Sequence, residues 1–570
     1  MNRSGVAPQE RKGRLIAAGI LVLSILAGVY QGRGPTPATS ERDANPQRAN
    51  ASRMRTLLNE LLGDPPQTHS LGTQEGIAFL ERIESFLDAR GANHRRIEIP
   101  FDPASPIENP SPRLKFLSGE TTLRNLLVTV EGTRPDLPPL LICTHHDSCV
   151  WGPGAGDAGS AVVALLDHID HCVKHPPRRT LLYLFTDGEE FGLLGARAIA
   201  EKDTLPFREP AFVLNFDARG NRGAVPMFET HRGNANAVRH LIGHLAAPRQ
   251  TTSLAVTVYR MLPNATDFNV WNQTLGWPGF NFATIGGAHH YHQPSDVPAN
   301  LSDRTLQHMG DHLFSVHHAL DTMDEDRFNE MVTPTDQDAV FFDVLGLWVI
   351  RSTELIQRWI AIACVCVLSV LGLREFSRRA TRPSFLEMLK LLVVFPIVGA
   401  VAGLIGRGMQ ALLRVTDYGA LSYTPVDLAF GLLTTFLVFG AALFVQSAFD
   451  RRWPIDRHRA FVGSGTWGTS VCALLISLLL PGGAYLLVVP VTTYVLVRIS
   501  LSPVTDRSVA IARWAAWVSA CVIVGPLIPL LVQALGPWKQ TLYATLALML
   551  AIAAWHVAKP VIVKVNQDSP

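Results

Sequence analysis

The sequence has few charged residues and almost no net charge. Asp, Glu, Lys and Arg make up 17% of its 570 residues, and 50 Lys and Arg against 48 Asp and Glu leave a formal net charge of +2. This balance gives no reason to expect nucleic acid or another acidic polymer as a partner. The seven cysteines contain no CxxC pair and no paired framework, so the sequence indicates neither a thiolate zinc site nor a disulfide scaffold.

Hydrophobic residues are abundant and unevenly distributed. They make up 48% of the chain, which excludes a disordered, collagen-like or coiled-coil protein. Most of the excess lies after residue 338, whereas residues 32–337 have the composition of an ordinary soluble domain. A chain of 570 residues is also too long for one domain of roughly 150 residues. We therefore expect a soluble domain joined to a membrane-embedded part.

The apolar runs predict a membrane anchor at each end of the soluble domain. Residues 1–31, a basic start followed by an apolar run, are interpreted as an uncleaved signal anchor, and a polar linker follows at 32–52. A linker and interfacial segment at 326–354 precedes an all-α bundle of about seven helices at 355–558 and a cytoplasmic tail at 559–570. The predicted spans are 355–373, 388–406, 426–447, 461–480, 482–497, 514–535 and 541–558.

The distribution of basic residues predicts the orientation. Most Arg and Lys residues between the spans lie in the loops assigned to the cytoplasm, whereas the other loops carry only Arg407, Arg414 and Lys539. The basic N-terminus gives the same orientation, which places the soluble domain outside the cytoplasm: periplasmic or extracellular in a bacterium, lumenal in a eukaryote. Because the ionisable groups of the spans lie near their ends, an anchor is favoured over a transporter.

Three short apolar runs in the soluble domain, at 139–144, 180–185 and 211–216, are typical of buried parallel strands, and a helix is predicted at 159–173. Ligands bind beyond the carboxyl ends of strands in such α/β sheets. Five candidate residues lie at or near these ends: His145, Asp147, Glu189, Glu190 and Asp217. Two more, Asp157 and His292, lie in turns. Imidazole and carboxylate groups without a thiolate are typical of a catalytic zinc site.

Five motifs follow one another in this domain: HxD (145–147), PGAxDxGS (153–160), DGEExG (187–192), NxD (215–217) and YHxPxD (291–296). Together they resemble the di-zinc family of aminopeptidases and carboxypeptidases that includes bacterial leucyl aminopeptidase, aminopeptidase Y and glutamate carboxypeptidase II. The whole layout, with TDFNVW at 266–271, VFFDVLGLWVI at 340–350 and a multi-span tail, is similar to the branch containing endoplasmic reticulum metallopeptidase and vacuolar membrane protease. This resemblance implies an α/β domain at 53–325, with a mixed, largely parallel sheet and helices on both faces.

The resemblance also implies a role for each site residue and two Zn²⁺ per chain. His145 and Asp217 would bind one Zn²⁺, Glu190 and His292 the other, and Asp157 would bridge them. Glu189 would be the general base, Asp147 would orient His145, and Tyr291 would either donate to the oxyanion or pack in its loop.

Other residues have two interpretations each. Arg219 and Arg222 would hold a substrate carboxylate or be solvated loop charges, and Asp267 would bind a substrate amine or cap a helix. His308 and His312 are four residues apart on a predicted helix, a spacing that can bind a metal, but without a Glu in an HExxH position they are interpreted as helix surface. Cys143 and Cys149 are close enough in sequence to pair in an oxidising compartment.

The sequence therefore favours a membrane-anchored zinc exopeptidase, an aminopeptidase, with peptides and the lipid bilayer as partners. The first alternative keeps the fold and changes the chemistry to that of a glutaminyl cyclase-like acyltransferase with one zinc. The second is a carboxypeptidase of the same family. The third is a degenerate, non-enzymatic domain of a receptor or transporter, which the complete ligand set disfavours. The sequence does not predict an oligomeric state.

Overall fold

The computed structural model describes residues 8–37, 48–377 and 458–535, with isolated helical residues between 401 and 441. Short gaps within these ranges lie at 105–110, 118, 203–204, 206–209, 248, 263 and 502–505. The chain forms two compact units, Gln31–Arg351 and a second made of Met1–Tyr30 and Ser352–Pro570.

Seven strands of the first unit form one sheet. They are β1 (Asn93–Phe101), β2 (Thr121–Val130), β3 (Leu140–His145), β4 (Leu181–Thr186), β5 (Phe212–Ala218), β6 (Met227–Thr230) and β7 (Gly279–Thr284). Their order is β1-β2-β4-β3-β5-β7-β6. The central strands β4, β3, β5 and β7 are parallel, whereas the pairings β1–β2, β2–β4 and β6–β7 are antiparallel. The expected mixed, largely parallel sheet is confirmed.

The central strands are apolar because both faces of the sheet are covered. Every residue of β3 and β4 is buried. Along β3, Leu140 and Ile142 belong to the hydrophobic core on one face, and Leu141 and Cys143 to the core on the other. Successive side chains of a strand point to opposite faces, so a strand covered on both sides has no polar alternation.

Ten helices are described in or before this unit. They are α1 (Pro8–Gln31), α2 (Ala51–Leu62), α3 (Gln74–Asp88), α4 (Ser160–Lys174), α5 (Leu194–Lys202), α6 (Ala235–Leu241), α7 (Ser253–Tyr259), α8 (Asp267–Asn269), α9 (Asp303–Thr322) and α10 (Glu325–Val332). Side chains of α2, α3, α4 and α9 fill the core on one face, and those of α5 and α8 contribute to the other. Strands β8 (Ala339–Val344) and β9 (Trp348–Thr353) form a separate two-stranded sheet.

The second unit is helical where it is described, with α11 (Glu354–Ser377), α12 (His458–Leu479), α13 (Tyr485–Ser500) and α14 (Asp506–Leu535). By length and composition, two segments of the described helices are able to cross a membrane, Glu354–Leu371 and Arg507–Ala534. Shorter apolar helical segments are Leu15–Gln31, Thr469–Leu479 and Tyr485–Ser500.

Four of the seven predicted spans coincide with described helices. The spans at 355–373, 461–480, 482–497 and 514–535 correspond to α11, α12, α13 and α14. The span at 541–558 lies outside the described residues, and those at 388–406 and 426–447 lie almost entirely outside them. A bundle of about seven helices therefore stays a prediction.

A buried carboxyl group at the sheet edge is expected to make stability depend on pH. Glu229 in β6 is only 4% exposed, and its Oε2 accepts a hydrogen bond from Asn281 Nδ2 at 2.9 Å. Burial raises the pKa of Glu229 from 4.5 to about 7, against the opposing effects of Asn281 and Arg260. Because the folded pKa exceeds the unfolded one, the contribution of Glu229 to stability is greatest below about pH 4.5 and is lost as pH rises through about 7.

Replacing this carboxyl group by an amide is expected to remove that decline. We expect Glu229→Gln to be more stable than the wild type above about pH 7, by about 3 kcal/mol. The measurement is the unfolding midpoint of the detergent-solubilised chain between about pH 5 and about pH 8. Glu60→Gln, at an exposed position of α2, is the control. Parallel pH profiles for the wild type and Glu229→Gln would contradict the prediction.

Candidate active site

The carboxyl ends of the central strands bring the predicted ligands together. His145 is the last residue of β3, Glu190 lies in the short turn Glu189–Phe191 after β4, and Asp217 lies near the end of β5. Asp157 lies in the turn Ala155–Gly159 that leads into α4, and His292 follows β7. The sheet topology thus gathers residues that are far apart in sequence at one rim.

These five residues form two groups that share Asp157. The first is His145, Asp157 and Asp217, the second is Asp157, Glu190 and His292, and within each group the candidate ligand atoms lie within 4.8 Å of one another. Asp157 Oδ1 is 3.2 Å from His145 Nε2, and its Oδ2 is 3.1 Å from His292 Nε2. A single carboxylate therefore faces both groups, one oxygen towards each.

The remaining two carboxylates complete the groups from either side. Asp217 Oδ1 is 3.5 Å from His145 Nε2, and Glu190 Oε2 is 2.9 Å from His292 Nε2. The other oxygen of Glu190, Oε1, is buried without a hydrogen-bond partner. Buried carboxylates with unused oxygens are stable only beside positive charge, which metal ions can supply.

The pKa shifts of the two histidines and of Glu190 also show that the buried carboxylates favour positive charge at this site. Burial lowers the pKa of His145, but its hydrogen bonds to Asp147, Asp157 and Asp217 outweigh that effect and raise the pKa well above 6.5. For His292 burial again acts downward, and hydrogen bonds to Asp157 and Glu190 raise the pKa to about 9. Burial raises the pKa of Glu190, with the nearby Asp157 charge adding to it. The chemistry of this donor set therefore fits divalent cations.

Asp147 holds the turn that carries the two glutamates. Its Oδ1 accepts the backbone N–H of Glu189 at 3.1 Å, and its Oδ2 accepts that of Glu190 at 3.2 Å. The group nearest to His145 Nδ1 is the backbone carbonyl of Asp147 at 2.9 Å, with the carboxylate at 3.5 Å. Asp147 is thus placed to orient His145 mainly through its main chain, while its side chain fixes Glu189.

Asp296 holds the backbone of the turn that carries Asp157. It is 3% exposed, and its two oxygens accept the N–H groups of Gly156 at 2.8 Å and Asp157 at 3.2 Å. Sequence reasoning gave Asp296 no role, although it is the last residue of the YHxPxD motif. The spacing of the motif therefore contained the signal, and only the structure shows what the residue does.

Arg113 is a second residue that the sequence did not reveal. Its Nη1 contacts the carboxylate of Glu190 and donates to the backbone oxygen of Glu190 at 2.6 Å, and its Nη2 lies 2.9 Å from His292 Nδ1. Burial lowers the pKa of Arg113, but the Glu190 charge outweighs that effect and the pKa rises. Arg113 precedes Glu190 by 77 residues and lies in no motif, so no sequence signal could have found it.

Tyr291 packs against a candidate ligand, and Asp267 is buried with only one of its two oxygens hydrogen-bonded. The Tyr291 ring stacks on His292 with centroids 3.5 Å apart, and burial raises the pKa of its phenol well above 10. Asp267 Oδ2 accepts a hydrogen bond from the Thr186 hydroxyl, while its Oδ1 is buried without a partner. Thr266 occupies the N-cap position of α8, so the capping role considered for Asp267 is wrong.

The two arginines that follow Asp217 contact their own loop and the segment at and after the end of β7. Arg222 Nε donates to Asn221 Oδ1 at 3.3 Å, and Arg222 Nη2 lies 3.3 Å from His290 Nε2. The backbone N–H of Arg219 donates to Thr284 O at 2.8 Å. Asn221 and His290, which Arg222 contacts, therefore lie outside the two groups around Asp157.

Two expectations about cysteine and histidine are wrong. Cys143 and Cys149 are both buried free thiols, and Cys143 Sγ lies 3.2 Å from Asn215 Oδ1. His308 and His312 are fully buried rather than on the helix surface. His308 accepts the N–H of Val225 at 3.0 Å, because this side of α9 packs against the β5–β6 connection.

Comparison with known proteins places the site residues inside a recognised family segment. Residues 125–317 match peptidase family M28. The resemblance indicated by the motifs is confirmed. This segment contains the two groups around Asp157, whereas Arg113 lies outside it.

The chain is also similar to the vacuolar membrane proteases of fungi. It is 30% identical over 256 residues to that of Eremothecium gossypii, covering 44% of this chain and 24% of the relative. The corresponding protein of Kluyveromyces lactis is 27% identical over 256 residues, covering 44% of this chain and 28% of the relative. The match therefore spans about a quarter of the length of these relatives.

Solved structures similar to this chain have low sequence identity. The aminopeptidase from Aneurinibacillus is 14% identical, with a TM-score of 0.37, and the match covers 48% of this chain and 94% of that one. The glutaminyl cyclase from Porphyromonas gingivalis is 15% identical, with a TM-score of 0.36, covering 47% and 96%.

Proposed function

We propose that this chain is a membrane-anchored zinc metallopeptidase that removes N-terminal residues from peptides, with its active site outside the cytoplasm. The observation that carries the proposal is the carboxylate of Asp157, whose two oxygens face two separate His–carboxylate groups. The match to peptidase family M28 supports the same class of reaction. The apolar helices and the basic loops support the anchor and its orientation.

The donor set fits two Zn²⁺ ions. One would be held by His145 and Asp217, the other by Glu190 and His292, and Asp157 would be shared. When bound, a pair of zinc ions lowers the pKa of a shared water and polarises a carbonyl group.

Glu189 is our proposed carrier of the proton that the reaction requires. Its backbone N–H is held by Asp147, and burial raises the pKa of its carboxyl group well above 4.5, which suits a group that takes up and returns a proton. We assign to Glu189 the uptake of a proton from the attacking water and its transfer to the departing amine. We assign to Tyr291, which burial keeps as a neutral phenol, the donation of its O–H to the developing oxyanion.

A carboxypeptidase is the second candidate, because Arg113 lies at the same site. The side chain of Arg113 is 26% exposed and reaches both Glu190 and His292. A guanidinium group binds a carboxylate through two parallel hydrogen bonds, as would be needed for the C-terminus of a substrate. In this structure Glu190 and the Glu190 backbone oxygen accept from Arg113, so a substrate carboxylate would have to take over these bonds.

The experiment that decides between these candidates is hydrolysis of a substrate panel by the full-length chain in detergent micelles. The panel holds aminoacyl amides with a free amine, and N-blocked peptides with a free carboxylate, each with and without chelator. We expect chelator-sensitive hydrolysis of the free-amine substrates, and little change in their KM in Arg113→Gln.

Other results would point elsewhere. Hydrolysis confined to free-carboxylate substrates, with KM raised at least about 10-fold in Arg113→Gln, would establish the carboxypeptidase. Cyclisation of N-terminal glutamine with one zinc per chain would establish the cyclase. No bound metal would overturn the proposal altogether.

A further inference from the structure

We propose that His168, Cys172 and His317 form a second metal site, for a zinc ion, between α4 and α9. The site shares no residue with the two groups around Asp157, and it does not depend on the proposed peptidase activity. His168 and Cys172 are four residues apart on α4, so they lie on the same face of that helix. His317, on α9, faces them from the other side.

The donor atoms are close enough to hold one ion. His168 Nε2 lies 3.1 Å from His317 Nδ1 and 3.7 Å from Cys172 Sγ, and one ligand atom from each of the three residues lies within 4.8 Å of the others. With Zn–N of about 2.0–2.1 Å and Zn–S of about 2.3 Å, tetrahedral geometry puts two nitrogens about 3.3 Å apart and nitrogen and sulfur about 3.6 Å apart. The two separations from His168 therefore lie within about 0.2 Å of those expected around a bound ion, and the third, between Cys172 and His317, is within 4.8 Å.

The surroundings of His168 fit those of a metal ligand. Its second ring nitrogen, Nδ1, lies 2.8 Å from the hydroxyl oxygen of Tyr183 in β4. With Nδ1–H donating to that oxygen, Nε2 is free to bind an ion, which is the usual arrangement of histidine ligands. His168 and Cys172 have no exposed surface, and His317 is 9% exposed, with its Nε2 buried and without a hydrogen-bond partner.

Burial keeps the two histidines neutral, which favours metal binding, and keeps the cysteine protonated, which a metal ion must overcome. Burial lowers the pKa of His168 well below 6.5 and that of His317 to about 4, so both rings are neutral and their nitrogens are available. Burial raises the pKa of the Cys172 thiol to about 12, so Zn²⁺ must displace its proton. Binding would convert Cys172–SH and Zn²⁺ into a thiolate–zinc bond and one released proton.

The donor set selects the class of ion. Two imidazoles and a thiolate suit zinc or another transition ion with the same preference, and not Mg²⁺ or Ca²⁺, which take oxygen ligands. Three protein donors leave a fourth position of a tetrahedral ion for a small ligand. Because α4 begins at Ser160, directly after the turn that carries Asp157, an ion at Cys172 would tie the far end of that helix to α9.

Cobalt substitution tests this site separately from the catalytic one. A thiolate bound to Co²⁺ gives an intense charge-transfer band in the near ultraviolet, whereas the groups around Asp157 contain only imidazoles and carboxylates. We expect the full-length chain, purified in detergent and loaded with Co²⁺, to show this band. We also expect zinc-loaded wild type to hold one more equivalent of metal than Cys172→Ser.

Three variants locate the thiolate. The band is expected to be lost in Cys172→Ser, to shift or weaken in His317→Gln, and to remain in Cys149→Ser, which removes a buried thiol close to Glu190 and Asp157. His312→Gln, at another buried histidine of α9, is the matched control and should keep the band.

Several results would overturn the proposed metal site. Absence of the band in folded, cobalt-loaded wild type would overturn it without recourse to any variant. A band that survives in Cys172→Ser, or is lost in Cys149→Ser, would place the thiolate elsewhere. If Cys172→Ser does not fold, the wild type, His317→Gln and Cys149→Ser still decide.

Discussion

Glu189→Gln is expected to lower the turnover of peptide hydrolysis by about 10²–10⁴-fold while leaving the metal content unchanged. The amide keeps the size of the side chain and cannot accept the proton of the attacking water. The backbone N–H of residue 189 still donates to Asp147 Oδ1, so the turn that carries Glu190 is preserved. The measurement is kcat on the best substrate of the panel, with metal counted by mass spectrometry on the same samples.

The control for this loss is Glu201→Gln, an exposed glutamate of α5. It is expected to keep wild-type turnover and metal content. A Glu189→Gln variant that retains more than about one tenth of the wild-type kcat would remove Glu189 from the role of general base. Loss of metal together with activity would instead make Glu189 part of the ligand set.

Asp157→Asn is expected to weaken metal binding as well as turnover, because Asp157 faces both groups of candidate ligands. Asparagine keeps the shape of the side chain but removes the negative charge that faces His145 and His292. We expect metal affinity to fall by at least about 100-fold, since removing even residues outside the ligand set costs about 10–100-fold. Hydrolysis should fall with it, and supplying excess zinc should restore only part of the turnover.

The measurement is metal stoichiometry at increasing free zinc, followed by turnover at each concentration. Asp170→Asn, on α4 but paired with Lys174 at 2.7 Å, is the control and should bind metal as the wild type does. If Asp157→Asn held both zinc ions with wild-type affinity, Asp157 would not be shared between them. If it held one ion firmly and lost the other, the two groups would bind metal independently.

The two experiments separate two parts of the proposed function. Metal binding fails first in Asp157→Asn, whereas proton transfer fails alone in Glu189→Gln. A wild-type chain that binds zinc normally and hydrolyses no substrate of the panel would have the metal centre without the peptidase activity. That outcome would correspond to the non-enzymatic alternative that the sequence left open.

The sequence by itself determined three of the four central strands, β3, β4 and β5, and the residues at their ends, but it did not predict β7. The run PLLICT at 139–144 predicted β3 to within one residue, because a strand buried on both faces must be apolar throughout. The same rule gave β4 and β5, and with them the positions of His145, Glu190 and Asp217. The mixed, largely parallel sheet followed from these strands and from the family motifs.

Only the tertiary structure decided which side chains meet. Arg113 reaches Glu190 across 77 residues, and His168 reaches His317 across 149, and neither pair has a fixed spacing that a motif could record. The sequence also could not predict that His308 and His312 are buried, because their spacing fits a helix surface as well as a core. Local sequence fixes the period of a strand or helix, but the distance between two elements, and the charge that each buried group then faces, comes from how the chain packs.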